Sequence, residues 1–485
     1  MISEVLRRPV AASSPESVQP VPALHPGSTA LWFAALAAAL GGFLFGYDWV
    51  VIGGAKPFYE AHFGLVRPAS QAWAMSCALV GCLVGALGAG PVSDRVGRRG
   101  GLLLAAAVFC ISSIGTGMAG SFAGFVLWRM GGGLAIGMAS VLSPIYIAEI
   151  APAAIRGRLV CLNELTIVLG ILSAQIVNWL IARPIPDGAH VADIQSSWNG
   201  QTGWRLMFAA AVVPAAAFLL SVLFIPESPR WLGRKGAWAR ARQVLFRLGN
   251  GVSAEGVLED IRVSLIADAP SVGGATRTPR FAGLAPVLIV GVTLAVLQQW
   301  CGINVIFNYA QDVFSAAGYP LSGILFNIVI TGVTMCVFTF VAITTVERVG
   351  RRPLMLFGCA SLTCIYIVVG YLYHTNTYGL PLLVLIVAAI ACYAMTLAPI
   401  TWVILSEIFP NSARGACMAL CTASLWTACF VLTYTFPLLN TSIGTAGTFW
   451  FYALICAAGF LFVLARVPET RQKSLEAIQQ LWRHS

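Results

Sequence analysis

Residues 94–99 have the sequence Asp94-Arg95-Val96-Gly97-Arg98-Arg99, and residues 347–352 repeat the pattern as Glu347-Arg348-Val349-Gly350-Arg351-Arg352. Each copy is a short, strongly charged segment between two long apolar stretches. A charged hexapeptide that recurs in this setting indicates that one structural unit occurs twice in the chain. The rest of the sequence supports a duplication.

Two further pairs of charged segments recur at nearly the same distance along the chain. They are Glu149 to Arg156 with Glu407 to Arg414, and Pro226-Glu227-Ser228 with Pro468-Glu469-Thr470. Each half of the chain contains six apolar stretches. Because six is an even number, both halves enter a membrane in the same orientation. The sequence therefore predicts two parallel repeats related by an axis normal to the membrane.

The composition places the apolar stretches in a lipid bilayer. The 485-residue chain is 58% hydrophobic and 10% charged, with a mean hydropathy of +0.82. These values exclude an ordinary water-soluble globular protein. A helix crosses the hydrocarbon core with about 20 apolar residues. The predicted spans are Thr29–Ala55, Ser70–Val92, Gly101–Ala119, Phe122–Ile147, Leu159–Ala182, Gly203–Ile225, Phe281–Ala317, Leu321–Val346, Pro353–Tyr373, Leu380–Leu405, Ala416–Leu439 and Thr445–Val467.

These spans divide the chain into five predicted parts. They are a disordered cytoplasmic tail (1–28), an N-terminal six-helix bundle (29–228), a cytoplasmic helical linker (229–280), a C-terminal six-helix bundle (281–467) and a cytoplasmic tail (468–485). The tail 1–28 lacks the order of regions that a signal peptide requires. In the linker, apolar residues recur at helical spacing between Ala237 and Leu248, which predicts an amphipathic latch. A solvated linker lying on lipid headgroups is the alternative.

The arginines predict the orientation, because cationic short loops stay on the cytoplasmic side. The loops after the second, fourth, eighth and tenth spans are rich in arginine, whereas Lys56, Arg67 and Arg183 are exceptions on the other side. Both termini are therefore predicted to be cytoplasmic. The net charge of +10 follows from these loops and from attraction to anionic lipid, so it predicts no nucleic acid partner. The thirteen cysteines show no metal-ligand pattern and are interpreted as packing thiols.

Charged residues at the cytoplasmic ends of the spans are candidates for an inner gate. They are Asp94, Arg95, Arg98, Arg99, Glu149, Arg156, Glu227 and Arg230, with the second-half residues Glu347, Arg348, Arg351, Arg352, Glu407, Arg414 and Glu469. The expected pairs are Asp94 with Arg98 and Arg99, Glu149 with Arg156, and Glu227 with Arg230. Exposed ion pairs contribute only about 0–1 kcal/mol each, so such a network can break and re-form during a cycle. Alternatively, the arginines only fix the topology.

Four motifs in order carry a resemblance to a known family. They are Gly90-Pro-Val-Ser-Asp-Arg-Val-Gly-Arg-Arg99, Pro226-Glu-Ser-Pro-Arg-Trp-Leu232, Gln298-Gln299 with Gly302-Ile303-Asn304, and Pro468-Glu-Thr470. Together they resemble the sugar porter family of the major facilitator superfamily, including bacterial proton-coupled symporters and facilitative glucose transporters. The resemblance implies an all-α membrane protein with twelve helices in two pseudo-symmetric bundles, alternating access, and hexose or pentose substrates.

Asp48 and Arg129 are charges inside predicted spans, and an unpaired charge there costs several kcal/mol. Both lie about 10 Å below the outer surface at a rise of about 1.5 Å per residue, so they are predicted to pair. A buried aspartate beside a movable arginine can load and release a proton. A permanent pair that only orients helices is the alternative. The resemblance favours the proton role. One departure counts against it: Ala209, Ala210 and Ala211 occupy a stretch where some similar bacterial symporters carry a glutamate.

The substrate candidates combine amides, which both donate and accept hydrogen bonds, with aromatic faces for a sugar ring. They are Phe45, Glu164, Gln175, Gln298, Gln299, Asn304, Asn308, Trp402 and Trp426. Gly302 is expected to let the seventh span bend. Members resembling this chain place glutamine where Glu164 stands, so its carboxylate is interpreted as a sugar ligand, a second proton site or a neutral hydrogen-bonding group. Asn308, Met335 and Leu425 also depart from the family pattern.

The leading hypothesis is a proton-coupled monosaccharide importer in a cell membrane, with the bacterial inner membrane as the expected location. A facilitative uniporter and a carrier of another polyol or of an organic or sugar acid are alternatives. A sugar receptor without transport usually has long cytoplasmic extensions, which the tails 1–28 and 468–485 do not resemble. The sequence predicts no enzyme, metal or cofactor, because no catalytic or phosphate-binding motif is recognisable. The expected partners are a monosaccharide, a proton and the lipid bilayer, and the expected functional unit is a monomer.

Overall fold

The computed structural model describes residues 28–152, 155–186, 190–249, 254–267, 284–316, 321–409 and 414–471. The predicted tail 1–28 lies almost wholly outside these residues, as do the end of the linker and most of the tail 468–485.

The first half of the described chain is helical almost throughout. Its elements are α1 (Thr29–Phe63), α2 (Pro68–Val96), α3 (Arg98–Gly117), α4 (Phe122–Ile150), α5 (Arg156–Ile181), the short α6 (Val191–Ser196), a π-helical turn (Asn199–Gly203), α7 (Trp204–Ala209) and α8 (Val212–Phe224). The π-helical turn leads directly into α7, so the sixth span is a composite of three pieces.

The linker and the second half continue the helical pattern. The linker contains α9 (Pro229–Arg234), α10 (Trp238–Arg247) and α11 (Ala254–Ala267), which pack against one another. The second half contains α12 (Ala285–Trp300), α13 (Ile303–Asn308), α14 (Ala310–Ala316), α15 (Leu321–Val349), α16 (Arg351–His374), α17 (Leu380–Met395), α18 (Leu397–Ile408) and α19 (Arg414–Arg466). The helix predicted around Ala237 to Leu248 is therefore present as α10.

The number of spans agrees with the prediction. In the described ranges, eleven helical stretches are long and apolar enough to cross a membrane. The last of them, Cys417–Arg466, has 50 residues and is bent at Gly444, where φ is 72° and ψ is 171°. At about 1.5 Å per residue it is more than twice as long as the hydrocarbon core is thick, so it supplies two spans. The predicted all-helical membrane fold is confirmed.

Two spans of the second half are interrupted near their middle. The expected bend at Gly302 is confirmed: this residue is left-handed, with φ of 86°, and separates α12 from α13. The break at Thr396 between α17 and α18, where φ is −126° and ψ is −92°, was not predicted. Pro399 explains it, because its ring clashes with the carbonyl four residues earlier, at Met395, and its nitrogen has no hydrogen to donate.

A close seam joins α1 to α5 in the first half. A Cβ atom at Gly46 would overlap the backbone carbonyl of Ile167, and one at Gly170 would overlap the carbonyl of Phe43. Small residues allow membrane helices to approach closely enough for backbone contact. The seam holds α1, which carries Asp48, in a fixed position against α5.

Three packed contacts between helices join the two halves in the described part of the chain. Helix α2 packs against α19, α5 packs against α15, and the end of α1 packs against α13 and α14. The last contact is tight, since a Cβ at Gly53 would lie 2.8 Å from the carbonyl oxygen of Phe307. We define the arginine-rich face as the ends of α2, α4 and α15 with the starts of α3, α5 and α16. The contact of α1 with α13 and α14 lies at the opposite face.

Candidate functional site

A small cavity of about 20 Å³ lies between helices α1, α2 and α4 of the first half and α13 of the second. In this conformation it has room for about one water molecule. It is lined mainly by α1 and α2, with contributions from α4 and α13. The lining residues used below are Phe45, Asp48, Trp49, Met75, Arg129 and Asn308. The cavity thus brings together both members of the predicted proton pair and two of the predicted substrate residues.

Asp48 and Arg129 form the predicted ion pair across α1 and α4. An Nη1 hydrogen of Arg129 is donated to Oδ1 of Asp48. Asp48 is 6% exposed and Arg129 is 4% exposed, so both charges are almost completely removed from bulk water. The guanidinium also lies 5.3 Å from the ring centroid of Phe208, at a cation–π distance. The predicted contact is confirmed, and the proton role stays a prediction.

The guanidinium of Arg129 has an N–H group that is free to donate a further hydrogen bond. Its Nε has no hydrogen-bond partner among the described residues. Asn308, whose Oδ1 is likewise without a partner in the described chain, lines the same cavity. A buried polar atom without a partner costs free energy unless water or a ligand satisfies it. The cavity therefore presents one donor and one acceptor to whatever occupies it.

Three aromatic rings from both halves meet beside the ion pair. The ring centroid of Trp426 lies 5.5 Å from that of Phe45 and 6.1 Å from that of Trp49. Phe45 and Trp49 form an edge contact at 5.6 Å. Trp49 was not among the predicted residues, although its place directly after Asp48 in an apolar run was a usable signal. Trp402 is half-buried in α18 and packs against the core.

The predicted amides form a chain of hydrogen bonds at the break in the seventh span. Asn304 Nδ2 donates to Gln299 Oε1, and Gln299 Nε2 donates to Gln298 Oε1 at 3.3 Å. Gln298 Nε2 in turn donates to the carbonyl of Ala398, at 3.1 Å, in α18. All three side chains are buried. The structure thus brings these predicted residues together, and in this conformation they bond to one another and to α18.

The two candidates on α5 have different surroundings. Gln175 is 2% exposed and its Nε2 lies 3.5 Å from Thr331 Oγ1 of α15, so it joins the two halves. The side chain of Glu164 is exposed although α5 packs between α1 and α15. Its charge acts on Tyr393 of α17 in the other half. Glu164 therefore faces the space between the halves, whereas Gln175 lies in their contact.

The charged residues at the arginine-rich face form one module in the first half. Arg98 Nε donates to Glu149 Oε2 at 3.1 Å, which joins α3 to α4. Glu227 accepts the backbone N–H of Arg98 at 2.8 Å and of Arg99 at 3.1 Å, and so caps the start of α3. Ser228 Oγ donates to Glu149 and closes the arrangement.

The second half contains the equivalent module. Arg351 Nη2 donates to Glu407 Oε1 at 3.1 Å, and Glu469 accepts the backbone N–H of Arg351 and of Arg352. Thr470 Oγ1 donates to Glu407 at 2.5 Å, as Ser228 does to Glu149. The recurring sequence segments are thus recurring structural modules. The ion pairs described at this face join helices of the same half.

Some predicted pairings at this face differ from the structure. The guanidinium facing Glu149 belongs to Arg98, and Arg156 Nη2 instead donates to the carbonyl of Ala151 at 3.3 Å. In the contacts above, Glu227 bonds to the backbone at the start of α3, which offers unsatisfied N–H groups. Asp94 pairs with Arg98 at 3.0 Å as predicted.

The remaining candidates at this face have other surroundings. Arg99 donates to the carbonyls of Val222 and Leu223 at the end of α8. Arg95, Arg230 and Arg348 are exposed. The side chains of Glu347 and Arg414 lie outside the described part of the structure.

Sequence reasoning missed three charged residues at the opposite face. Lys56 Nζ lies 2.8 Å from Asp312 Oδ1 and 3.2 Å from Glu60 Oε2. Lys56 had been treated as a loop charge because the first span was predicted to end at Ala55, whereas α1 continues to Phe63. If Lys56, Glu60 and Asp312 are all taken as charges inside spans, the sequence predicts that they pair, because unpaired charges there are costly.

The chain is similar to known transporters along nearly its whole length. A family model described as "Sugar (and other) transporter" matches residues 34–482. The D-xylose-proton symporter of Escherichia coli K12 is 35% identical over 486 residues, covering 94% of this chain and 96% of that protein. The arabinose-proton symporter of Bacillus subtilis is 37% identical over 447 residues, covering 92% and 94%. The inward-open structure of the xylose transporter XylE from E. coli matches with a TM-score of 0.80 and 34% identity, covering 93% of this chain and 100% of that chain.

Proposed function

The chain belongs to the sugar transporter family of the major facilitator superfamily, and from this premise we propose that it imports a monosaccharide together with a proton by alternating access. The observation that carries the proposal is the buried Asp48–Arg129 pair in the wall of the cavity between the halves. Relatives named as proton symporters for xylose and arabinose, each at least 35% identical, support it.

Asp48 is the proposed proton carrier. While ionised, it is neutralised by Arg129 and the pair stays buried. A proton on Asp48 removes the negative charge, leaving the guanidinium free to bond elsewhere in the cavity. Arg129 Nε already lacks a partner among the described residues, so a sugar hydroxyl or water can use this donor capacity. Proton binding and sugar binding are thereby linked through one side chain.

The proposed sugar site lies beside this pair. Phe45, Trp49 and Trp426 cover the apolar face of the ring, and Asn308 bonds to a hydroxyl. Gln298, Gln299 and Asn304 exchange some of their mutual hydrogen bonds for bonds to sugar hydroxyls. Trp402 adds a further aromatic surface, and Gln175 positions α5 against α15. Glu164 accepts a hydroxyl hydrogen, which favours a neutral sugar over a sugar acid because two carboxylates would repel each other.

The conformation corresponds to the inward-facing state of the proposed cycle. The halves are joined by an ion pair and by close backbone contact at the face opposite the arginine-rich face. The match to an inward-open structure agrees with this assignment. The arginine-rich face is accordingly the cytoplasmic side, both termini are cytoplasmic, and the protein acts as a monomer in the cell membrane. The two charged modules hold each half together as it moves.

The decisive experiment is uptake of radiolabelled D-xylose, L-arabinose, D-galactose and D-glucose by proteoliposomes, with and without an inward proton gradient. We expect at least one sugar to accumulate above its external concentration only when the gradient is present. Accumulation that ignores the gradient would contradict proton coupling. Uptake that only equilibrates under both conditions would indicate a uniporter.

Asp48→Asn tests the proton site. The amide cannot exchange a proton at this position, so concentrative uptake is expected to be lost while sugar exchange between inside and outside persists. Glu255→Gln is the matched control, because Glu255 is an exposed linker carboxylate paired with an exposed Arg242. Concentrative uptake by the Asp48→Asn protein would show that the proton binds elsewhere.

A further inference from the structure

Lys56, Glu60 and Asp312 form a largely buried cluster between the halves. Lys56 and Glu60 lie one turn apart on α1, and Asp312 lies on α14. The exposed fractions of the three side chains are 6%, 12% and 28%. Such charges are expensive inside a membrane protein and are usually functional. The cluster is distinct from the Asp48–Arg129 pair, which joins two helices of the first half.

The cluster coincides with the closed contact between the halves. The end of α1 packs against α13 and α14, and Lys56 Nζ also lies 5.8 Å from the ring centroid of Tyr309. Opening this face requires α14 to leave α1, which breaks the pair between Lys56 and Asp312. Removing one partner of a buried pair leaves a costly uncompensated charge, so the pair favours the closed state until water enters.

The charges in the closed cluster do not balance. Two carboxylates face one ammonium group, and Oε1 of Glu60 is buried without a hydrogen-bond partner in the described chain. Glu60 also lies within electrostatic range of the phenols of Tyr59 and Tyr309. The Tyr309 hydroxyl donates to the carbonyl of Thr433. Neither phenol supplies a positive charge, so the surplus negative charge stays uncompensated.

We propose that Lys56, Glu60 and Asp312 form an outer gate that binds one proton, on Glu60, when it closes. Glu60 is the more buried carboxylate and has the longer contact to Lys56, whereas Asp312 receives the shorter bond. The proton comes from external water, binds to the carboxylate of Glu60, and returns to external water when the gate reopens. It is therefore not the transported proton, and it makes closure easier in acid. The inference rests on the proposed alternating access.

Hydrogen–deuterium exchange of the purified full-length protein tests the gate without measuring transport. Asp312→Asn and Lys56→Met are expected to raise amide exchange severalfold in residues 53–63 and 303–316. The charge-reversed pair Lys56→Asp with Asp312→Lys is expected to restore protection, and Glu255→Gln is the unaffected control. Unchanged exchange in folded single variants, checked by thermal melting, would overturn the gate. A double variant less protected than both single variants would also overturn it.

Glu60→Gln tests the proton, because the amide mimics the protonated acid. The ratio of exchange rates between the wild type and this variant at one pD cancels the intrinsic effect of pD. We expect this ratio to be severalfold higher at about pD 8 than at about pD 6, because Glu60 releases its proton on opening and an exposed carboxylate is ionised at both values. A ratio that is constant with pD would show that Glu60 binds no gating proton. Loss of sugar uptake with an intact exchange pattern would instead contradict the proposed transport function alone.

Discussion

Arg129 is a full positive charge that is only 4% exposed, and its environment at the scale of single residues explains how this is tolerated. Asp48 neutralises it and the ring of Phe208 offers a second favourable contact. Two charges inside predicted spans at the same depth were enough to predict this pair from sequence. Lys56 and Asp312 could not be matched in the same way, because the predicted first span stopped at Ala55.

The cost of separating the buried pair can be measured. Arg129→Leu leaves Asp48 without its countercharge and is expected to lower the free energy of unfolding by about 3–5 kcal/mol. The double variant Asp48→Asn with Arg129→Leu removes both charges and is expected to be more stable than the single variant. Denaturant titration in detergent provides the comparison. If the double variant is no more stable than Arg129→Leu, the unpaired charge of Asp48 does not explain the lower free energy of unfolding.

At the scale of helices, the seam between α1 and α5 fixes the wall of the cavity. The backbone contacts at Gly46 and Gly170 leave no room for a side chain. Sequence patterns predicted these helices and the bend at Gly302, because a glycine in an apolar run is a local signal. They did not predict the partners of the glycines, which depend on contacts distant in sequence. The break at Thr396 was also not predicted, although Pro399 is a local signal for it.

Adding one methyl group distinguishes close contact from open space. Gly46→Ala places a Cβ against the carbonyl of Ile167 and is expected to cost about 1–3 kcal/mol through overpacking. Gly88→Ala, in α2, is the matched control, because nothing lies within 4 Å of its Cβ. The control is expected to be neutral or to gain about 0.5–1 kcal/mol from reduced backbone entropy. Equal melting temperatures for the two variants would contradict the close seam.

At the scale of the whole molecule, the duplication places the same ion pair at equivalent positions in the two halves. Glu149 with Arg98 in the first half corresponds to Glu407 with Arg351 in the second. The repeat could be recognised from sequence because its charges lie at fixed positions along the chain. The partner of Glu149 could not be recognised from the sequence, because spacing along the chain favoured Arg156 over Arg98. Near the cavity the two halves differ in sequence. There the sequence predicted which residues are candidates, but it did not predict which residues they contact.

Two separate modules should contribute independently to stability. Glu149→Gln and Glu407→Gln are each expected to cost about 1.5–3 kcal/mol, as a charged hydrogen bond is weakened. The modules share no residue, so the double variant should match the sum within about 0.5 kcal/mol. Chemical unfolding of the single and double variants in one detergent checks this. A strongly non-additive result would indicate coupling between the modules through the contact of the halves.

The neighbouring positions of Lys56 and Glu60 also bear on how the protein is made. Helix α1 is synthesised before α14, because Asp312 follows 256 residues after Lys56. In the proposed orientation, with the N-terminal end of α1 at the cytoplasmic side, a lone lysine near the other end would oppose insertion, because cations resist crossing the membrane. Glu60, one turn away, gives the newly made helix its own countercharge. One lysine thus has two successive partners, the first during biogenesis and the second in the finished protein.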